Sequence, residues 1–128
     1  MMMAPTFRKK ERIVSNLLIE TLFEKGNSQS LAAYPLRAVF LKKERQQGHA
    51  PVQILISVPK KRFKLAVDRN RVKRQIREAY RLHKQLLGNC ITDDQELLIA
   101  CIWLSDSHCP SNEVEKRMIS LLQRIAKK

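Results

Sequence analysis

The chain has 128 residues, with 25 Lys and Arg against 12 Asp and Glu, a formal net charge of +13. Hydrophobic residues make up 44% and aromatics 5%, enough for one compact core built mainly from aliphatic side chains. So large a positive excess repels itself and calls for a polyanionic partner, nucleic acid or an anionic membrane surface. No apolar run reaches the ~20 residues a spanning helix needs. The first ten residues lack a secretory core, so the expected compartment is the cytoplasm. The three cysteines, Cys90, Cys101 and Cys109, form no Cys-x-x-Cys pair and suggest neither a disulfide framework nor a zinc site. A metal set of Cys101, His108 and Cys109 would lack a fourth ligand.

In chain order, residues 1–11 read as a basic arm. Residues 12–25 read as a helix ended by Gly26. At ~100° per residue, Val14, Leu17, Leu18 and Leu22 share one face, with Ile19 and Phe23 on nearly the opposite side. Residues 34–42 are a predicted strand in which Tyr34, Leu36, Ala38 and Phe40 face one way and Arg37, Val39 and Leu41 the other. Residues 52–58 are an apolar, β-branched run that suits an inner strand. A further short strand is expected around Lys64 to Val67. Residues 69–87 carry the strongest helix signal, with Asp68 as N-cap. Residues 96–104 form another buried strand, and residues 112–126 an amphipathic helix along Val114, Met118, Leu121, Leu122 and Ile125. The pattern predicts one α+β domain over 1–128, a two-layer sandwich with a small mixed sheet.

The segment from Lys60 to Lys84 concentrates the charge. It holds eleven Lys and Arg and only two acids, Asp68 and Glu78. On a helical wheel Val72, Ile76, Ala79, His83 and Leu86 form an apolar stripe. Asn70, Lys73, Arg77, Arg81 and Lys84 form a polar one, with Arg74 at its margin. Helical Lys and Arg that are merely solvated are usually interleaved with Glu at i,i+4. Here compensating acids are nearly missing, so the face is suited to phosphate oxygens, which each planar guanidinium can grip with two parallel bonds. Such a surface binds backbone rather than reading bases.

The run Arg69-Asn70-Arg71-Val72-Lys73-Arg74-Gln75-Ile76-Arg77-Glu78-Ala79-Tyr80 resembles the signature of the bacterial ribonuclease P protein component, in which Arg-Asn-Arg is followed by Lys-Arg, a further Arg, a small residue and an aromatic. Ser57-Val58 with Lys60-Lys61 is similar to the segment just upstream, and Arg12-Ile13, Leu22-Phe23 and Gly26 fit the family's first helix. The chain departs from the pattern at Pro59 and at Ile19. It departs also at Arg62-Phe63-Lys64-Leu65, a loop one residue longer than usual and without Gly.

The resemblance implies an αβββαβα fold with a left-handed parallel crossover, an exception to the usual rule. It implies a catalytic RNA subunit whose Mg²⁺ ions activate the water that removes the 5′ leader of precursor tRNA, with no cofactor bound by the protein alone. One protein per RNA is expected, and no membrane contact. Lys60, Lys61, Arg69, Asn70, Arg71, Lys73, Arg74, Arg77 and Arg81 would meet RNA. Arg12, Ile19, Phe23, Ala38 and Phe40 would line a cleft for the single-stranded leader, stacking without sequence preference. The alternatives are a general RNA-binding or ribosome-associated protein, and a metal-dependent nuclease using Asp93, Asp94 and Glu96.

Overall fold

A computed structural model describes residues 28–44, 51–88 and 92–127. The helix expected over 12–25 lies outside them. The described elements run β1 (Gln29–Ala33), β2 (Leu36–Glu44), β3 (Val52–Ser57), α1 (Ala66–His83), β4 (Gln95–Trp103) and α2 (Ser111–Ala126), with a 3₁₀ turn at Lys84–Leu87. The sheet order is β1-β2-β4-β3. Antiparallel pairs join β1 to β2 and β2 to β4, and β3 runs parallel to β4. A parallel neighbour requires a crossover connection, and α1 is that connection.

Two-residue alternation sorts the strands into two faces. Leu36, Ala38 and Phe40 of β2, Ile54 of β3 and Leu97, Ile99, Cys101 and Trp103 of β4 point at the helices. There they meet Val72, Ile76, Ala79 and Tyr80 of α1 and Val114, Met118, Leu121, Leu122 and Ile125 of α2. The opposite face carries a second cluster, Val39, Leu98 and Ala100, with Leu41, Leu55 and Ile102 half-buried beside it. The unbroken apolar run of β4 therefore has a reason: both faces of this inner strand are covered. Cys101 lies in the main core, where burial pushes its thiol pKa up to about 12.

Side-chain bonds fix the two helices against each other. Gln75 Nε2 donates to Cys109 O at 2.9 Å and Ser111 Oγ at 3.1 Å, and His83 Nε2 lies 2.6 Å from Glu115 Oε1. His83, placed on the apolar stripe by periodicity, thus sits at a polar seam, and Tyr80 takes the buried position.

One strand is added and four expectations are corrected. Residues 29–33 form a strand that the polar sequence concealed. It is an edge strand, and only Leu31 and Ala33 pack on the core. Tyr34 is not on a strand face. It stands in the β1–β2 turn beside a cis bond to Pro35, 65% exposed. No strand forms at Lys64–Val67, because the chain turns at Pro59–Arg62, with Arg62 N donating to Pro59 O at 3.0 Å, and enters the helix at Ala66. Asp68 is not the N-cap. Leu65 holds that position without a side-chain bond, and Asp68 lies in the first turn facing His108 Nε2 at 3.2 Å. The last turn expected of this helix tightens to 3₁₀ and stops at Gly88, whose φ of 49° a side chain would resist.

Candidate nucleic-acid interface

Burying Val72, Ile76, Ala79 and Tyr80 fixes the rotation of α1. What remains outside follows from 3.6 residues per turn. Asn70, Arg71 and Arg74 are exposed, and Lys73 and Arg77 are half-buried, their stems on the protein and their charges at its edge. Among the described residues no carboxylate lies within ion-pair reach of Arg71, Lys73, Arg74 or Arg77. Four cations on one helix, with no described acid paired to them, set up a strong positive potential.

Two of the expected contact residues are engaged elsewhere. Arg81 donates through Nε to Glu78 Oε2 at 3.0 Å and pairs with Glu78 Oε1 through Nη2. The bond from Arg81 holds the Glu78 carboxyl below its ordinary pKa, and the same bond raises that of Arg81. The lowered Glu78 value keeps its carboxylate charged beside Arg81 until pH falls through that depressed value. Arg69 reaches back along the chain, where its Nη1 donates to Phe63 O at 2.8 Å and Lys64 O at 2.9 Å. It braces the loop that leads into the helix.

That loop presents the remaining cations. Phe63 is buried and stacks on His108, ring centroids 4.6 Å apart at 21°. Arg62 Nη1 lies 3.2 Å from Asp106 Oδ1. These two anchors leave Lys60, Lys61 and Lys64 exposed. The longer glycine-free loop is accommodated because no described non-glycine residue needs a positive φ. Lys64, which periodicity did not single out, joins the same surface.

The Arg69 bonds separate two residues that the motif treats alike. Arg71→Ala should leave stability within about 0.5 kcal/mol and lower the salt slope of RNA binding by roughly 0.7–0.9. Arg69→Ala should cost about 1–2 kcal/mol of stability through two lost bonds to backbone carbonyls. Equal melting curves for the two variants would show that the brace has no weight.

Of the expected leader-cleft residues, the described part of the chain holds Ala38 and Phe40. Arg12, Ile19 and Phe23 lie outside the described residues. Ala38 and Phe40 are 0% and 1% exposed and face the helices, so they floor no groove. Periodicity pairs them correctly but cannot tell which sheet face the helices cover. Arg37, exposed and bonded through Nε to Ser30 Oγ at 2.8 Å, and half-buried Leu41 lie on the other face. The acids of the nuclease alternative stay apart. Glu96 is fully buried, with Gln53 Nε2 at 3.3 Å and Lys43 Nζ at 3.7 Å, while Asp93 and Asp94 are exposed. Among the described residues no three His, Cys, Asp or Glu gather as a metal site, and no helix is long and apolar enough to cross a membrane.

A two-layer α+β sandwich whose crossover helix turns an acid-poor row of cations outward defines a class of small basic proteins suited to phosphate backbones. Comparison with known proteins is specific about the family. The Ribonuclease P family pattern matches residues 7–126. The ribonuclease P protein component of Porphyromonas gingivalis strain W83 is 42% identical over 126 residues, covering 95% of this chain and 89% of that one. The corresponding protein of Chlorobium phaeobacteroides is 40% identical over 127 residues, covering 91% and 85%. In fold, the chain is similar to the ribonuclease P protein from Thermotoga maritima, with a TM-score of 0.62 at 22% identity, over 85% of this chain and 90% of that one. The chain belongs to the ribonuclease P protein family.

Proposed function

We propose that this chain is the RNA-binding subunit of a ribonucleoprotein that removes the 5′ leader from precursor tRNA, and that the chemistry belongs to the RNA. The observation that carries this is the α1 surface: Asn70, Arg71, Lys73, Arg74 and Arg77 on one rigid element, continued by Lys60, Lys61 and Lys64 on the anchored loop. Such a surface holds phosphates but supplies no nucleophile, general base or metal ligand set. The RNA subunit is then the partner of α1, one protein per RNA, in the cytoplasm. Mg²⁺ enters with that RNA and supplies the activated water.

The leader needs a surface with open apolar area and a cation. The margin of the sheet face opposite the helices offers both: around the buried Val39, Leu98 and Ala100, Arg37 is exposed and Leu41, Leu55 and Ile102 are half-buried. A single strand lying there would meet apolar surface tolerant of any base, with Arg37 for a phosphate.

The test is reconstitution. Purified protein should not cleave precursor tRNA. Protein with its cognate RNA subunit and Mg²⁺ should release the leader and leave a 5′-phosphate. Cleavage by RNA-free protein, lost on replacing Asp93 and Asp94, would overturn the reading in favour of a protein nuclease.

A further inference from the structure

Leu65 and Val67 are 63% and 71% exposed. Single exposed aliphatics are ordinary on a protein surface, but the placement of these two is not. Leu65 is the N-cap of α1 and makes no side-chain cap bond. That position favours Ser, Thr, Asp or Asn, each of which would satisfy a free first-turn N–H. An exposed leucine there forgoes the cap and also presents apolar surface to water, so folding gains nothing from it. Val67 heads the outward column of the helix, with Asn70 and Arg71 at i+3 and i+4 and Arg74 one turn beyond. Lys64 adjoins Leu65, and Lys60 and Lys61 stand on the same loop. Along the chain, the apolar pair is therefore flanked by cations on both sides.

We propose that Leu65 and Val67 form an apolar platform that receives an unpaired nucleotide of the RNA subunit; this rests on the RNA-binding reading of α1. The surrounding charges select a polyanion. The platform then selects the kind of RNA. A continuous A-form helix shows phosphates, riboses and groove edges, and its base faces are covered by stacking. Apolar side chains within a phosphate-binding surface gain only where a base face or a splayed ribose is open to them, which occurs at bulges, loops and junctions. The start of α1 thereby selects a non-helical site, while Arg71, Arg74 and Arg77 hold the flanking backbone.

The test uses the full chain and its cognate RNA subunit. Affinity is measured over a salt series for wild type and for the Leu65→Ser/Val67→Thr double variant, together with thermal melting. Ser is the better cap, and Thr is isosteric with Val and of similar helix propensity, so the melting temperature should hold or rise by a few degrees. Affinity should fall roughly tenfold through the lost burial of aliphatic surface, with the salt slope unchanged, because no phosphate contact is removed. Nucleotide-resolution chemical probing should show an unpaired nucleotide that is protected by wild type and reactive with the variant. Unchanged affinity would overturn the proposal. So would a loss that follows a drop in melting temperature, or lost protection confined to paired nucleotides. Binding by wild type that is no tighter to the RNA subunit than to an unrelated RNA of equal length would sink the underlying reading of α1 itself. Retention of RNA affinity by the double variant alongside loss of a protein contact would assign the platform to a protein partner instead.

Discussion

Replacing Arg71, Arg74 and Arg77 together by Ala should weaken binding to the RNA subunit on the order of 100-fold at physiological salt while leaving the fold intact. All three lie on the outward side of α1, and among the described residues none pairs with a carboxylate. Their loss uncovers no buried charge, and Ala is the stronger helix former. Taking about 1 kcal/mol for each charge-assisted phosphate contact after screening, three contacts come to roughly 3 kcal/mol, which is about two orders of magnitude in affinity. The salt dependence gives an independent check. Three contacts fewer should lower the slope of log K against log salt by roughly 2–3. Arg81→Ala provides the contrast, since its charge is already shared with Glu78 and its removal should change the slope much less. A triple variant with wild-type slope would mean that this face is only solvated and that RNA docks elsewhere.

How far such a surface can be read from the chain depends on what each residue's neighbours are. The β4 segment was legible because a long apolar run bounded by polar loops has few other destinations, and α1 because its buried residues recur at helical spacing. The β1 strand was not. Only Leu31 and Ala33 of its five residues pack on the core, so Gln29 and Ser30 look like loop. The start of α1 was misjudged because residue type favours Asp68 as a cap, whereas the chain enters the helix at Ala66 with no capping side chain to signal it. Arg69 and Arg71 look equivalent in the motif. Only the fold of the Phe63–Lys64 loop, which returns two carbonyls to Arg69, tells the brace from the free cation. The β2 strand shows a limit of a different kind. Alternation establishes that Ala38 and Phe40 share a face, but the identity of that face depends on where α1 and α2 pack, which is a tertiary fact.

That tertiary fact predicts opposite behaviour for two residues three apart on β2. Phe40→Ala should destabilise the protein by about 3–5 kcal/mol, the cost of a large cavity among Leu97, Ile99 and the helices. A domain of ordinary stability keeps only about 5–15 kcal/mol in hand, so the variant should melt far below wild type. In the fraction that remains folded, discrimination between precursor and mature tRNA should be unaffected, because Phe40 has no surface to offer a leader. Arg37→Ala should do the reverse. Its bond to Ser30 is exposed and worth little to stability, so melting should shift by no more than a degree or two. On the proposed leader face its guanidinium is the exposed cation of β2. The holoenzyme carrying Arg37→Ala should therefore bind precursor tRNA about fivefold more weakly, for roughly 1 kcal/mol of lost phosphate contact, and bind mature tRNA as before. The measurement is the ratio of the two affinities at fixed salt and Mg²⁺. An unchanged ratio for Arg37→Ala, or a stable Phe40→Ala protein that has lost the ratio, would return the leader to the helix-covered side of the sheet and refute the assignment of faces.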